Sequence, residues 1–173
     1  MSKLSVRYYL FLLCITPLPA EEVLIEFSYA LADYNPGPII ESLVEGHRAE
    51  IRYQIRIYQE LSGIGRLFGD RRVVEYDVVH VAWWNAINQE YIIRVDDDAE
   101  IVFGNAGGFM EHLFTLKNQR IAIPSESSDD LYVLCRPQIQ PIKLVPPLTL
   151  MILLRPEYRQ ILPWRRVPFS IVK

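Results

Sequence analysis

From Val23 to Leu31, apolar residues take every second position: Val23, Ile25, Phe27, Tyr29 and Leu31. A period of two predicts a strand with one buried face. Asn35-Pro36-Gly37-Pro38 ends it. Ile39, Ile40, Leu43 and Val44 then recur at helical spacing, which predicts a short helix with Gly46 as its C-terminal stop. The clearest alternation follows. Ala49, Ile51, Tyr53, Ile55, Ile57 and Leu61 share one face, while Arg48, Glu50, Arg52, Gln54, Arg56, Tyr58 and Glu60 share the other. Such a strand packs one face on a core and gives the other to water.

Ser62 to Asp70 is a glycine-rich turn. Beyond it, Val74, Tyr76, Val78, Ala82 and Trp84 line a face that includes His80, with Glu75 and Asp77 opposite. Folding the two runs into a hairpin brings Arg56 near Glu75 or Asp77. The arginines are therefore expected in cross-strand ion pairs, each worth about a few tenths of a kcal/mol. Asn85 to Gln89 is a turn, Glu90 to Val95 a returning strand, and Ile101 to Phe103 a brief further one. From Gly107 to Asn118 the period lengthens, and Phe109, Met110, Leu113, Phe114 and Leu116 fit one helical face. Ile121 to Ile123, Leu131 to Ile142, Leu148 to Leu154 and Val167 to Val172 read as strands. The total is about eight strands and two short helices. That pattern predicts a mainly β fold, an antiparallel β-sandwich, formed by residues 21–173 as a single domain.

The first twenty residues have a different logic. Lys3 and Arg7 precede an uncharged, mostly apolar run from Tyr8 to Leu18, then Pro19-Ala20 and the acidic pair Glu21-Glu22. This is the layout of a secretory signal peptide, or of an N-terminal anchor if it stays uncleaved. A membrane-crossing helix needs about 20 apolar residues, more than this run offers. Cys14 follows Leu13, where lipid attachment wants a small residue, so it reads as part of the apolar run. The expectation is export to the periplasm or the outer face of the inner membrane. Without residues 1–20 the chain keeps 16 basic and 21 acidic residues, a net charge of −5.

That charge gives no basic stripe of the kind nucleic-acid binding requires. Two cysteines cannot build a disulfide scaffold, and Cys135, inside an apolar strand-like run, is expected to be buried. The three histidines, His47, His80 and His112, lack metal-ligand spacing and have no Gly-x-Ser-x-Gly elbow to serve. Each reads as structural, and neither a metal nor a cofactor is expected. Asp96-Asp97-Asp98-Ala99-Glu100 lacks EF-hand spacing and reads as a solvated strand end that discourages edge pairing. Gly104-Asn105-Ala106-Gly107-Gly108 is not followed by Lys-Ser/Thr, so it reads as a turn and a tight helix start. The aromatics are more informative. Trp83 and Trp84 must point to opposite sheet faces, and Trp164 lies in a proline-rich tail. These three are the candidate partner-binding residues.

The runs Arg52-Tyr53-Gln54-Ile55-Arg56-Ile57-Tyr58, Val74-Glu75-Tyr76-Asp77-Val78 and Asn88-Gln89-Glu90-Tyr91-Ile92-Ile93 resemble an uncharacterised bacterial envelope family, a domain of unknown function. Leu131 to Arg136 and Pro141 to Leu148 are similar to its C-terminal part. The resemblance covers most of residues 23–172 and carries no catalytic residues with it. It implies an envelope location. Family members encoded beside membrane sensor histidine kinases make a sensor kinase ectodomain one implied partner. The acidic triplet and the proline-rich tail depart from the pattern.

The leading expectation is thus a non-enzymatic, exported protein-interaction module. A carrier of a lipid or other apolar ligand is the first alternative, and it needs a cavity between the sheets. A cell-wall enzyme using carboxylates such as Asp77 or Glu75 is the second. Alternation puts both on an open face, which disfavours it.

Overall fold

The computed structural model describes residues 22–32, 34–63, 67, 69–124, 130–141 and 159–172. The segment 1–20 and the strand expected over 148–154 lie outside the described residues. The elements run β1 (Glu22–Ala30), α1 (Gly37–Val44), β2 (Ala49–Gln59), β3 (Arg71–Asn85), β4 (Glu90–Val95) and β5 (Glu100–Phe103). They continue with α2 (Ala106–Leu113), β6 (Thr115–Pro124), β7 (Leu131–Gln140), β8 (Gln160–Ile161), β9 (Arg165–Val167) and β10 (Phe169–Val172).

Among the described residues all strand pairs are antiparallel, in two sheets. A three-stranded sheet has the order β10-β1-β6, and a seven-stranded sheet the order β5-β4-β3-β2-β7-β8, with β9 also on β7. The expected β-sandwich class is the observed one. The long alternation does set the inner face: Ile51, Tyr53, Ile55 and Ile57 of β2 are fully buried. They join Ile25, Phe27 and Tyr29 of β1, Leu116 and Ile123 of β6, and Val133, Cys135 and Ile139 of β7 in one apolar cluster. The helices add Ile39 and Leu43 from α1 and Phe109 and Leu113 from α2.

Gly46 stops α1 as expected, and the geometry shows how. Its φ is +86°, its N–H bonds Leu43 O at 3.0 Å, and the His47 N–H bonds Ser42 O at 3.0 Å. This pair of bonds satisfies two carbonyls that the helix end would leave bare. Asn105 caps α2, its side-chain oxygen accepting the Gly108 N–H at 2.8 Å.

Two expectations fail in instructive ways. The second helix was expected to reach Asn118, but it ends at Leu113 and Thr115 to Asn118 belong to β6. The Leu31 N–H bonds Phe114 O at 2.9 Å, and Leu116 faces Tyr29 across the β1–β6 pair, so the ladder takes over the chain. Asn118, at φ 51°, donates its N–H to Ser28 Oγ where that ladder slips register. The last strand, expected over Val167 to Val172, is divided at Pro168. Before the proline, β9 pairs β7 in the larger sheet; after it, β10 pairs β1 in the smaller. Proline has no N–H to give to a ladder, so the crossover between sheets falls there. With β8 included, the described strands number ten rather than eight.

Candidate functional site

The outer face of the seven-stranded sheet carries the unusual side chains. Strand β2 lies between β3 and β7, and its polar positions face rows contributed by both. Arg52 stands opposite Val79 and Gln138, Gln54 opposite Asp77 and Arg136, and Arg56 opposite Glu75 and Leu134. The hairpin register therefore pairs Arg56 with Glu75, of the two partners expected. Arg56 Nε donates to Glu75 Oε1 at 2.7 Å, and Arg72 also pairs with Glu75. The Arg56 hydrogen bond, above all, holds the Glu75 carboxyl below its usual range.

A cleft of about 270 Å³ opens over this ladder. Strand β2 gives it Glu50, Arg52 and Gln54, and β3 gives Asp77. Gln138 and Gln140 come from β7, and Arg159 directly precedes β8. Arg52 bridges the two carboxylates, to Glu50 at 3.2 Å and to Asp77 at 3.3 Å. Arg159 donates to Gln138 Oε1, and Arg136 Nε donates to Gln54 Oε1 at 3.0 Å. Glu50 and Gln138 are only 7% and 4% exposed, although they sit on the solvent face of the sheet. Asp77 and Glu75 both stand exposed on the outer face of β3, as the alternation predicts. Asp77 lines a cleft, and its carboxylate companion there is Glu50.

Tryptophans flank the cleft. Trp83 and Trp84 do point to opposite faces. Trp84 packs inward, 4.5 Å from the Tyr91 ring and against the core. It is partly buried, as Trp83 is, but from the inner side of the sheet. Trp83 is half-buried on the outer face, with the guanidiniums of Arg48 and Arg94 over its ring at 5.3 and 5.9 Å. Trp164 is also half-buried, with those of Arg56 and Arg136 both at 4.6 Å. Below it, Arg166 lies 4.4 Å from the Tyr132 ring, which stacks on Tyr58 at 5.4 Å. Trp83 and Trp164 share a face but do not form one cluster. Arg48 and Arg56 are eight positions apart, roughly 27 Å of extended chain.

The other candidates take structural positions. His47 is exposed at the end of α1, 3.7 Å from Glu45. His80 is buried, its Nδ1 3.1 Å from Leu113 O, with the Tyr53 and His112 rings beside it at 5.2 and 6.2 Å. Tyr53 donates to the same carbonyl at 2.9 Å. Burial pushes the His80 imidazole down to about 4, so it is neutral at pH 7. Cys135 is fully buried, and burial pushes its thiol up to about 12. The acidic run forms the β4–β5 turn, where Asp96 Oδ1 accepts the Val79 N–H at 2.8 Å. It leads into β5, at one edge of the sheet, where discouragement of pairing is of use. Among the described residues, no group of three His, Cys, Asp or Glu is placed to hold a metal ion. No helix among them is long and apolar enough to cross a membrane.

The cleft itself was not anticipated. Its sequence signal is the alternation Arg136-x-Gln138-x-Gln140, which gives β7 a polar face matching that of β2. Comparison of the chain with protein-family models, curated proteins and solved structures finds no match.

Proposed function

We propose that this chain is an exported, non-enzymatic module of a bacterial cell envelope that binds a protein partner through the outer face of its larger sheet. One observation carries the reading. Trp83 and Trp164 are held half-buried on that face, each against two guanidiniums. Tryptophan and arginine dominate binding hot spots, and an aromatic already held in place loses little freedom on binding. The signal-like start and the family resemblance support export, and a membrane sensor ectodomain is one partner of the right kind.

The alternatives have less support. A lipid carrier needs an apolar cavity. The inner-face residues of β2 are fully buried, and a groove of about 430 Å³ at Leu131, Tyr132, Arg166 and Phe169 lies open at the surface. A glycosidase needs two carboxyls with separate acid and base roles. Glu50 and Asp77 instead share one guanidinium.

The test is capture of the protein from crosslinked envelopes, comparing the wild type with Trp83→Ala and Trp164→Ala. A stoichiometric membrane protein lost in either variant supports the reading. Recovery of lipid alone contradicts it, and so does fractionation that finds the full-length chain in the cytoplasm.

A further inference from the structure

We propose that the cleft over β2, β3 and β7 binds a neutral, hydroxyl-rich ligand, one or two rings of a saccharide. Three observations converge. The first is burial. Glu50 and Gln138 form a polar floor, almost closed to water, on a face where polar side chains ordinarily stand free. The second is charge. Among the described residues the lining holds two carboxylates and two guanidiniums, and Arg52 already ties Glu50 to Asp77. An anion meets those carboxylates, and a cation meets Arg52 and Arg159. A neutral ligand breaks no pair.

The third is the hydrogen-bond field. Gln54 and Gln138 each accept from an arginine through Oε1, which leaves the amide NH₂ end for a ligand. The exposed Asp77 carboxylate supplies an acceptor beside those donors. Donors and acceptors then alternate on a grid of about 4.8 Å between strands and about 6.8 Å along them. A hydroxyl both donates and accepts, so a ring with hydroxyls on successive carbons satisfies both kinds of group. A phosphate, acceptor-only when fully ionised, does not. The volume of about 270 Å³ lies just below the usual ligand range of about 300–1,000 Å³, which limits the occupant to one or two rings. The inference is independent of the protein-partner reading, because Trp83 and Trp164 do not line the cleft.

The experiment is titration of the full-length chain with glucose, N-acetylglucosamine, maltose and cellobiose, followed by calorimetry and saturation-transfer NMR. Glutamate and inorganic phosphate serve as charged probes. Gln140→Ala changes a half-buried rim residue and keeps the fold; Gln138→Leu removes the buried amide at similar volume. Saturable binding of a saccharide, weakened about tenfold by either variant and unchanged by Leu24→Ala on the other sheet, is the expected result. Absence of saturable saccharide binding at about 10 mM, or binding that neither variant weakens, overturns the proposal. So does saturable binding of phosphate or glutamate in place of the sugars.

Discussion

The Arg56 guanidinium lies 4.6 Å from the centre of the Trp164 ring while its Nε is bonded to Glu75. One side chain thus joins β2 to β3 and seats the tail on the sheet. Arg136 repeats the device from β7, holding Gln54 and facing the same ring. Trp164→Ala removes two cation–π contacts and part of a large apolar side chain. The expected loss is about 2 kcal/mol, read from urea unfolding midpoints. Trp164→Phe should recover part of it. A loss under about 0.5 kcal/mol would mean that the ring rests on the arginines without stabilising the fold.

His80 gives a pH signature. Its folded value, about 4, lies below the ordinary 6.5 because burial penalises the charged ring. Between those values the unfolded chain binds a proton that the folded chain does not, so stability falls as pH drops from 6.5 to 4. The full loss is on the order of 3 kcal/mol below pH 4 and is absent above 6.5. Subtracting the profile of His80→Gln from that of the wild type isolates this contribution from the carboxylates. A flat difference across that window would show that His80 is not held neutral by burial.

Tyr53→Phe removes the buried hydroxyl that donates to Leu113 O, while His80 Nδ1 stays beside that carbonyl. The expected cost is about 1–2 kcal/mol in denaturant unfolding. A cost near zero would mean that this bond adds nothing beyond what His80 provides.

Cys135 should be inert in the folded protein. It is fully buried, with its thiol pushed up to about 12. At pH 8 a thiol reagent should label it only on unfolding, as followed by peptide mass spectrometry that counts Cys14 separately. Rapid labelling of Cys135 in the native chain would contradict the packing of β7 against β2.

The sequence and the fold agree where the determining contact is local. Alternation from Ala49 onward gives the buried and exposed faces of β2, and the glycine-rich turn after it makes a β2–β3 hairpin natural. The opposed pair Trp83 and Trp84 follows from the period of a strand. Gly46 is legible because only a residue tolerant of positive φ ends a helix in that way. The division at Pro168 is not legible, since Val167 to Val172 reads as one strand whichever sheet each half joins. Leu116 misleads for a related reason: it fits the helical face of Phe109 and Leu113, but pairing with β1 decides its state.

The cleft shows the same limit at the level of the site. The polar alternation on β2 and on β7 is visible separately. What brings Arg52 opposite Gln138 is a neighbour relation between strands distant in the chain. Period tells a residue its face; it does not tell it who stands beside it.

The central claim is that the outer face of the larger sheet is the binding face. A photo-crosslinker placed at Trp83 or Gln140, and separately at Leu24 or Ala122 on the smaller sheet, tests it most directly in intact cells. The account predicts a discrete adduct from the first pair and none from the second. Adducts from Leu24 or Ala122 alone would place the binding surface on the opposite sheet and contradict it.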